Sequence, residues 1–483
     1  MIFPRRKYFA GLFKNIFKEV TKMKIKLGLG KADMKMIAEW CHGELYDFTG
    51  EIGSSFEYVC TDSREADENT MFVATRGERV DGHDYIIKAI EQGCRCILCE
   101  YVPSEIKDKC AAFAVVENSI EAFADCAKGY RSGRYMPIVA ITGSVGKTTA
   151  KEMCAAILKR KFNTYYTEGN FNSVIGMPMS LMAAGEECEV AVFEMGMSGF
   201  GEIRSMTNAA NPTIAMVTNI GSSHLEYLRT RENIARAKME IGEGIIDGGY
   251  LLLNGDEPLL EDHYNDRYDT VYIGRGLQFS NVRVEKDGTH FDLLFAGNDL
   301  FDLRIPLIGE HFAYNAAFAA YAALLLGVSD NDVREGLASV APGRMRMDVY
   351  EKNGITVLAD CYNAAPESMR AAIDAMSAIE VKGRRIAVLG DMKELGENCE
   401  FMHRSIGYYL AQKKIDILLT VGGLGAVIAE GAMERTPIEA ALYCDNNEDA
   451  ANKLREILKC GDAVLFKASR SMKFEEIIEK TFG

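Results

Sequence analysis

Short apolar runs alternate along much of the chain with longer helix-like stretches. Residues 190–193, 214–217 and 250–253 are short and almost fully apolar, as strands of a parallel sheet covered on both faces are. After residue 343 the same alternation returns, with strands predicted at 385–389, 415–421 and 463–466. This order of strands and helices predicts an α/β fold built mostly from parallel strands.

Polar turns divide the chain into a leader and three predicted domains. Residues 1–26 form the leader, 27–130 a small N-terminal α/β domain, 131–341 a central parallel-sheet domain and 342–483 a C-terminal Rossmann-like domain. In the first domain, helices are predicted at 32–41 and 85–92 and a strand at 96–99. A helix rich in alanine and leucine, at 313–326, closes the central domain before a Pro-Gly-Arg linker. The length of 483 residues also suggests roughly three domains.

The sequence Thr-Gly-Ser-Val-Gly-Lys-Thr-Thr at 142–149 lies between a strand predicted at 138–141 and a helix predicted at 150–161. This context is typical of a phosphate-binding loop, in which backbone N–H groups and a helix N-terminus face an anion. Lys147 would reach the outer phosphates, and the Thr148 hydroxyl would contact Mg²⁺. Ile141 stands where the general pattern has a glycine, so an ordinary strand–helix turn is the alternative. The candidate nucleotide-binding residues are Gly143, Ser144, Gly146, Lys147, Thr148 and Thr149.

Three further polar side chains of the central domain are candidates for the site, two after predicted strands and one on a predicted helix. Glu194 ends a strand, where a carboxylate beside a phosphate loop suits a second metal contact. His224 lies beyond the strand at 214–217, and metal binding and a structural role are equally good interpretations. Lys238 lies on a predicted helix, and its spacing alone favours a solvated side chain.

The polar turn at 169–178 precedes another predicted helix and carries Asn170, Asn172 and Ser173. Side-chain amides and helix-start N–H groups at such a turn are able to hold an anionic substrate. A turn that only caps the helix is an equally good interpretation.

Net charge, cysteine spacing and the length of apolar runs argue against several classes of protein. The net charge of −15 argues against a general nucleic-acid binder, since neutralising phosphates requires a basic face. The 13 cysteines lack paired metal spacing, so we interpret them as reduced, buried thiols of a cytoplasmic protein. No apolar run approaches the roughly 20 residues that cross a bilayer.

The leader differs from the rest of the chain because it is basic and its apolar residues recur at helical spacing. One interpretation is an amphipathic helix on an anionic membrane surface. The favoured one is a leader without a fold, or a wrongly assigned start that precedes Met23. Lysine interrupts its apolar part, so it is not a secretory signal. Its basic residues are Arg5, Arg6, Lys7, Lys14, Lys18, Lys22, Lys24 and Lys26, against the single acid Glu19.

Taken together, these motifs resemble the Mur ligase family of peptidoglycan synthesis over roughly residues 30–483. The shared order comprises the short phosphate loop, Glu194, the turn ending at His224, the helix around Lys238, residues 309–315 and Gly343-Arg344. Within the family, the chain is most similar to the members that add a D-alanyl-D-alanine dipeptide. The motifs that favour those members are Asp62-Ser63-Arg64, residues 76–83, Gly169-Asn170-Phe171-Asn172, Tyr362-Asn363-Ala364 with Pro366, and residues 389–396.

The resemblance implies an ATP-dependent amide ligase with a UDP-sugar-binding domain, a central P-loop ATPase domain and a C-terminal ligand-binding domain. It would join D-alanyl-D-alanine to a UDP-N-acetylmuramoyl-tripeptide through an acyl phosphate, using ATP and Mg²⁺, as a cytoplasmic monomer. Lys238 would be carbamylated and would position the metal with His224. The other implied contacts are Asn315 with adenine, Arg344 with the phosphates, Asp360 with the ribose, Ser63 and Arg64 with the UDP end, and Asn170, Asn172, Ser173, Tyr362 and Asn363 with substrate.

The chain also departs from the family pattern, and the departures leave alternatives open. Ala365 replaces an asparagine on the amine-donor side, so a related ligase with another amine donor is one alternative. A non-catalytic relative that binds the nucleotide-sugar is another, and a relative of folylpolyglutamate synthase is a third. The remaining departures are Ser173, Phe312, Ala359 and Ala468.

Overall fold

Strands and helices alternate through most of the chain, as the apolar pattern predicts. The computed structural model describes residues 24–50, 53–77, 80–106, 110–285, 287–295, 299–341, 343, 345–435 and 438–483. The predicted leader up to residue 23, and Arg344, therefore lie outside the described residues. The described residues form two compact units, one reaching Arg134 and including Pro178–Glu186, the other comprising Tyr135–Met177 and Glu187–Gly483.

The first unit contains a six-stranded sheet in the order β1-β5-β6-β7-β8-β3, with parallel strands in the middle and antiparallel strands at both edges. All residues of β6 and β7 are buried, which explains their continuous apolar sequences. The strands are β1 (Lys24–Lys26), β2 (Ala32–Asp33), β3 (Glu44–Asp47), β4 (Ser55–Phe56), β5 (Tyr58–Cys60), β6 (Thr70–Val73), β7 (Cys96–Cys99) and β8 (Ala112–Val115). The α-helices are α1 (Met34–Trp40), α2 (Ile86–Glu91) and α3 (Ser119–Tyr130).

The central part of the second unit is a parallel six-stranded sheet in the order β10-β11-β9-β12-β13-β14. Its strands are β9 (Ile138–Thr142), β10 (Thr164–Tyr166), β11 (Val190–Glu194), β12 (Ile214–Val217), β13 (Gly249–Asn254) and β14 (Tyr268–Ile273). The helices in this stretch of sequence are α4 (Lys147–Leu158), α5 (Gly176–Ala183), α6 (Glu202–Ala210), α7 (Leu225–Leu228), α8 (Arg231–Met239), α9 (His311–Leu325) and α10 (Asp330–Ala338).

A three-stranded antiparallel sheet follows β14 and was not predicted. It consists of β15 (Phe279–Glu285), β16 (Gly288–Leu293) and β17 (Leu300–Ile305). After the buried Phe279, half-buried and exposed residues alternate along β15, as expected for a strand with one face toward solvent.

The C-terminal part adds a sheet in the order β18-β19-β23-β20-β21-β22, parallel except for β18. One hydrophobic cluster extends from Val139 in the central sheet to Leu465 in this sheet, so both parts share a core. Its strands are β18 (Asp348–Lys352), β19 (Ile355–Ala359), β20 (Arg385–Gly390), β21 (Ile417–Val421), β22 (Ala440–Cys444) and β23 (Ala463–Lys467). Its helices are α11 (Pro366–Ala378), α12 (Cys399–Leu410), α13 (Gly423–Arg435), α14 (Asn447–Ile457) and α15 (Glu475–Phe482).

The predicted fold class is confirmed, and the bounds of the predicted strands and helices differ from the observed ones by at most three residues. No described helix is both long and apolar enough to cross a membrane. Ten of the 13 cysteines are buried, as the sequence predicts.

Helices α12 and α13 approach closely through two glycines. A Cβ added to Gly407 would lie 2.1 Å from the Ile428 carbonyl oxygen, and one added to Gly431 would lie 2.4 Å from the Arg404 oxygen. Both contacts involve backbone, which cannot move aside as a flexible side chain can.

We therefore expect Gly407→Ala to lower the free energy of unfolding by about 1–3 kcal/mol, because the added methyl group overpacks this helix pair. Urea denaturation of the purified protein would measure the change. Gly423→Ala is the matched control, since its Cβ would meet no atom within 4 Å. Equal stability of the two variants would contradict the close packing of α12 on α13.

Candidate active site

The phosphate loop connects β9 to α4 and requires glycine at two positions. Gly143 has φ +155° and Gly146 has φ +82°. A Cβ at Gly143 would lie 2.0 Å from Thr218 Oγ1, and one at Gly146 would lie 2.7 Å from Asn315 Oδ1. The helix begins at Lys147, three residues before the predicted start, because Gly146 in the left-handed conformation precedes its first turn.

The loop is held by a side chain that the sequence analysis did not single out. Asn219 accepts the N–H groups of Ser144 and Val145 at 3.1 and 3.0 Å, and its own amide donates to the Val145 carbonyl at 2.8 Å. Ser144 Oγ accepts the Gly221 N–H at 2.8 Å. The turn after β12 thus fixes the shape of the phosphate loop. The signal for this contact in the sequence is the polar turn directly after the strand predicted at 214–217, since the carboxyl ends of parallel strands meet at one edge of a sheet.

Lys147 lies against its own loop in this structure. Its Nζ donates to the carbonyl oxygens of Gly143 at 2.7 Å and Ser144 at 3.4 Å. Burial lowers the pKa of Lys147, while Glu194 opposes this effect and Arg346 reinforces it. The amine therefore belongs to one electrostatic cluster with a carboxylate from β11 and a guanidinium from the C-terminal part.

Glu194 is the centre of a group of oxygen and amide ligands. Its carboxylate is 3% exposed and accepts the Thr148 hydroxyl and the Asn172 amide, both at 2.8 Å. The backbone N–H of Glu194 donates to Thr167 Oγ1 at 3.1 Å. Carboxylate and hydroxyl oxygens are the ligands that Mg²⁺ prefers, so this group fits a hard cation beside the phosphate loop.

Lys238 is not the solvated side chain that its helical spacing favours. It is 1% exposed on α8, and its amine makes no hydrogen bond or ion pair with the described residues. Burial, reinforced by Lys147, holds the pKa of Lys238 well below its usual range. An unpaired buried ammonium is costly, so this position favours a neutral amine or a modified side chain.

His224 precedes α7 in the left-handed conformation, with φ +68°. Its buried Nδ1 lies 2.7 Å from Glu394 Oε2 but makes no hydrogen bond of good geometry. Because Nδ1 faces Glu394, Nε2 is the ring nitrogen that would be available to a metal. Thr148 and Glu194 supply the oxygen ligands that a hard cation prefers.

The C-terminal part forms the opposite wall of the site. Asp360 accepts Lys467 Nζ at 2.6 Å and the Met347 N–H at 3.1 Å, and Lys467 is 2% exposed. The Arg346 guanidinium stacks on the Tyr362 ring, 4.0 Å from its centroid. Arg346 was not predicted as a site residue, because the resemblance implies a phosphate contact for Arg344, which lies outside the described residues.

The phosphate loop, Glu194 and the C-terminal wall line one cavity of about 680 Å³ within the second unit, whereas His224 and Lys238 are not among its described lining residues. Asn170, Thr149 and Asn363 also line it, and Asn315 packs on Gly146. Ser173 instead caps α5, since its Oγ accepts the Gly176 N–H at 3.2 Å. The cavity's charged and aromatic lining residues include Lys147, Glu194, Arg346, Asp360, Tyr362 and Lys467.

The predicted UDP-end residues lie in the first unit. Ser63 is buried and begins a short 3₁₀ turn, Ser63–Glu65, capped by Asp62. The Asp62 carboxylate accepts the backbone N–H of Arg64 at 2.9 Å and also pairs with its guanidinium. This pairing holds the exposed Arg64 guanidinium in the turn that follows β5.

Three family models match the chain. The Mur ligase middle domain matches residues 141–323, the Mur ligase glutamate ligase domain residues 345–470, and the Mur ligase family catalytic domain residues 55–135. The UDP-N-acetylmuramoyl-tripeptide–D-alanyl-D-alanine ligase of Bacillus subtilis (strain 168) is 37% identical over 457 residues. That match covers 93% of this chain and 98% of the relative.

Solved structures agree with this match. MurF from Acinetobacter baumannii superposes with a TM-score of 0.84 at 27% identity, covering 94% of this chain and all of that one. MurF ligase from Thermotoga maritima, in complex with ADP, gives a TM-score of 0.78 at 30% identity and covers 88% and 96% of the two chains. The similarity therefore extends over the phosphate loop, the central sheet and the C-terminal part, and the chain belongs to the Mur ligase family.

Proposed function

We propose that the chain is an ATP-dependent ligase that joins D-alanyl-D-alanine to a UDP-N-acetylmuramoyl-tripeptide. The observation that carries the proposal is the cavity in which Lys147 and Glu194 of the central part face Arg346 and Tyr362 of the C-terminal part. The names of the B. subtilis relative and of the MurF structures support the same reaction.

A carboxylate is a poor electrophile, so it must be activated before an amine can attack it. An oxygen of the tripeptide carboxylate attacks the γ-phosphorus of ATP, ADP leaves, and an acyl phosphate forms. The dipeptide amine then attacks the acyl carbon, phosphate leaves, and the nitrogen loses a proton. Catalysis of this kind depends mainly on positioning and charge stabilisation.

The backbone N–H groups of the phosphate loop and the N-terminus of α4 would hold the phosphates of ATP. The residues proposed for these contacts are Gly143, Ser144, Gly146, Thr148 and Thr149. Lys147 would exchange its two carbonyl partners for phosphate oxygens, which offer a stronger, charge-assisted contact. Arg346, held flat by Tyr362, supplies a second cation on the other wall. Bound Mg²⁺ would add charge neutralisation and a fixed phosphate geometry.

Lys238 is proposed to carry a carbamate. A neutral amine is the form that adds carbon dioxide, and burial beside Lys147 favours that form. Carbamylation would replace the unpaired buried cation by an anion. Lys147 and a metal would then be its positively charged partners. His224, Glu194 and Thr148 complete the proposed metal site.

The remaining assignments extend the proposal to the substrates' other ends. Asn315 would contact the adenine of ATP, and Arg344 would contact its phosphates. Asp360, which is held by its ion pair with Lys467, would contact the ribose. Ser63 and Arg64 would bind the UDP end, so we propose that residues 27–130 form a UDP-sugar-binding domain. Residues 131–341 would form the ATP-binding domain and residues 342–483 a ligand-binding domain. The residues proposed to contact the peptide substrates are Asn170, Asn172, Ser173, Tyr362 and Asn363. We also propose that the enzyme acts as a monomer in the cytoplasm.

Ala365 bears on which amine donor the site would accept. It is buried and stands at the N-cap of α11 without a side-chain cap, and Ser368 Oγ alone bonds its backbone N–H at 3.0 Å. An asparagine at this position would supply both a helix cap and an amide toward the cavity. Its absence removes one hydrogen-bonding group from the side where the donor would bind.

Lys147→Met should lower the rate of ADP formation roughly 100-fold or more, because it removes a cation aimed at developing phosphate charge. The fold should persist, since the methionine keeps most of the side-chain volume. Lys161→Met, at the far end of the same loop-helix segment, is the control and should keep full activity. ADP release near the wild-type rate in the Lys147 variant would refute the phosphate-loop assignment.

Lys238→Met should abolish ligation without loss of thermal stability, because an apolar side chain replaces an unpaired buried amine. In ¹³C-bicarbonate, the wild type should show one carbamate NMR signal that the variant lacks. Short-chain carboxylic acids should restore part of the activity of Lys238→Ala by supplying the missing anion. A wild-type protein with full activity and no carbamate signal would contradict the modification.

When the candidate donors are offered together, D-alanyl-D-alanine should be consumed before D-alanyl-D-lactate, D-alanyl-D-serine or single amino acids. Ala365→Asn should change the ratio of dipeptide turnover rates by about 5–150-fold, the effect of one buried polar contact worth about 1–3 kcal/mol. Mass spectrometry of the products would measure both results. Turnover with a single amino acid alone would refute the dipeptide assignment and leave the ATP-dependent ligase intact.

A further inference from the structure

The loop after β20 contacts the segment that carries His224. The carbonyl oxygen of Glu394 accepts the Glu226 N–H at 3.1 Å. A Cβ on Gly396 would lie 3.3 Å from the Glu226 Cα, so the two backbones are close. A segment of the C-terminal part is therefore in contact with α7 of the central part, directly beside a proposed metal ligand.

Two residues in an unfavourable backbone conformation meet at this contact. Glu394 has φ +64° and His224 has φ +68°, a region that non-glycine residues seldom occupy. Their side chains face each other, with His224 Nδ1 2.7 Å from Glu394 Oε2. Strain of this kind persists only where the surrounding structure holds it, and it is concentrated at functional sites.

The chemistry of the pair is that of a ring nitrogen and its orienting carboxylate. The Glu394 carboxylate lies 2.7 Å from a ring nitrogen that has no well-aligned partner among the described residues. A small rotation of the imidazole would turn the contact into an N–H···O hydrogen bond.

We propose that Glu394 is a positioning residue that fixes the tautomer and direction of His224, so that Nε2 faces the metal. Histidines that bind metals generally donate their other ring N–H to such a carboxylate. Because Glu394 belongs to the C-terminal part, the metal site is complete only when that part lies in the position seen here. The inference rests on the proposed function, which assigns His224 to the metal.

The test measures Mn²⁺ binding to the full chain in the presence of a non-hydrolysable ATP analogue. Glu394→Ala should weaken Mn²⁺ affinity roughly 10–100-fold, the usual cost of removing such a carboxylate. Glu394→Gln should lose much less, since its amide oxygen still accepts the Nδ1–H. Pulsed electron paramagnetic resonance should show imidazole ¹⁴N coupling to Mn²⁺ in the wild type and in Glu394→Gln, but not in Glu394→Ala.

Glu397→Gln is the control, because Glu397 is exposed on the 3₁₀ turn that follows the same loop. It should bind Mn²⁺ as the wild type does, and all variants should bind the nucleotide equally without metal. Unchanged Mn²⁺ affinity and ¹⁴N coupling in Glu394→Ala would overturn the role of Glu394. A wild type that binds Mn²⁺ with imidazole coupling but releases no ADP with any acceptor would instead refute the proposed function alone.

Discussion

The parallel pairing of β11, β9 and β12 is the constraint on which the site depends. In this register Glu194 is opposite Ile141, and Val217 is opposite Thr142, so all three strands end at the same edge of the sheet. The phosphate loop, the Glu194 carboxylate and the turn at Asn219 are therefore adjacent without any long side chain reaching across. A shift by one residue would turn Glu194 to the opposite face and separate it from Thr148.

Hydrogen bonding divides the site into a fixed part and a part prepared for a bound group. Asn219, Ser144 and Thr167 satisfy their neighbours' polar atoms, so the loop and the end of β11 are rigid before substrate arrives. Lys238 is buried and has no hydrogen bond or ion pair with the described residues. Buried polar groups are seldom left unsatisfied, so Lys238 identifies a position that a modification or a ligand would complete.

The second wall of the cavity comes from a part of the chain far away in sequence. Asp360, Tyr362 and Lys467 lie at the carboxyl ends of β19 and β23, the usual position for ligand contacts in an open α/β sheet. The shared hydrophobic core holds this edge against the phosphate loop. Charge on this wall then influences Lys147, since Arg346 contributes to its lowered pKa.

The sequence by itself determined the α/β fold, most strand and helix bounds, and the phosphate loop, because apolar periodicity and glycine spacing are local properties. It could not reveal the burial of Lys238, the support from Asn219, or the position of Arg346 at the cavity. It also missed the antiparallel strands at 279–305, where the alternation is short and interrupted by polar residues. Those features depend on which distant side chains meet, and only the register of the sheets and the packing of the C-terminal part decide that.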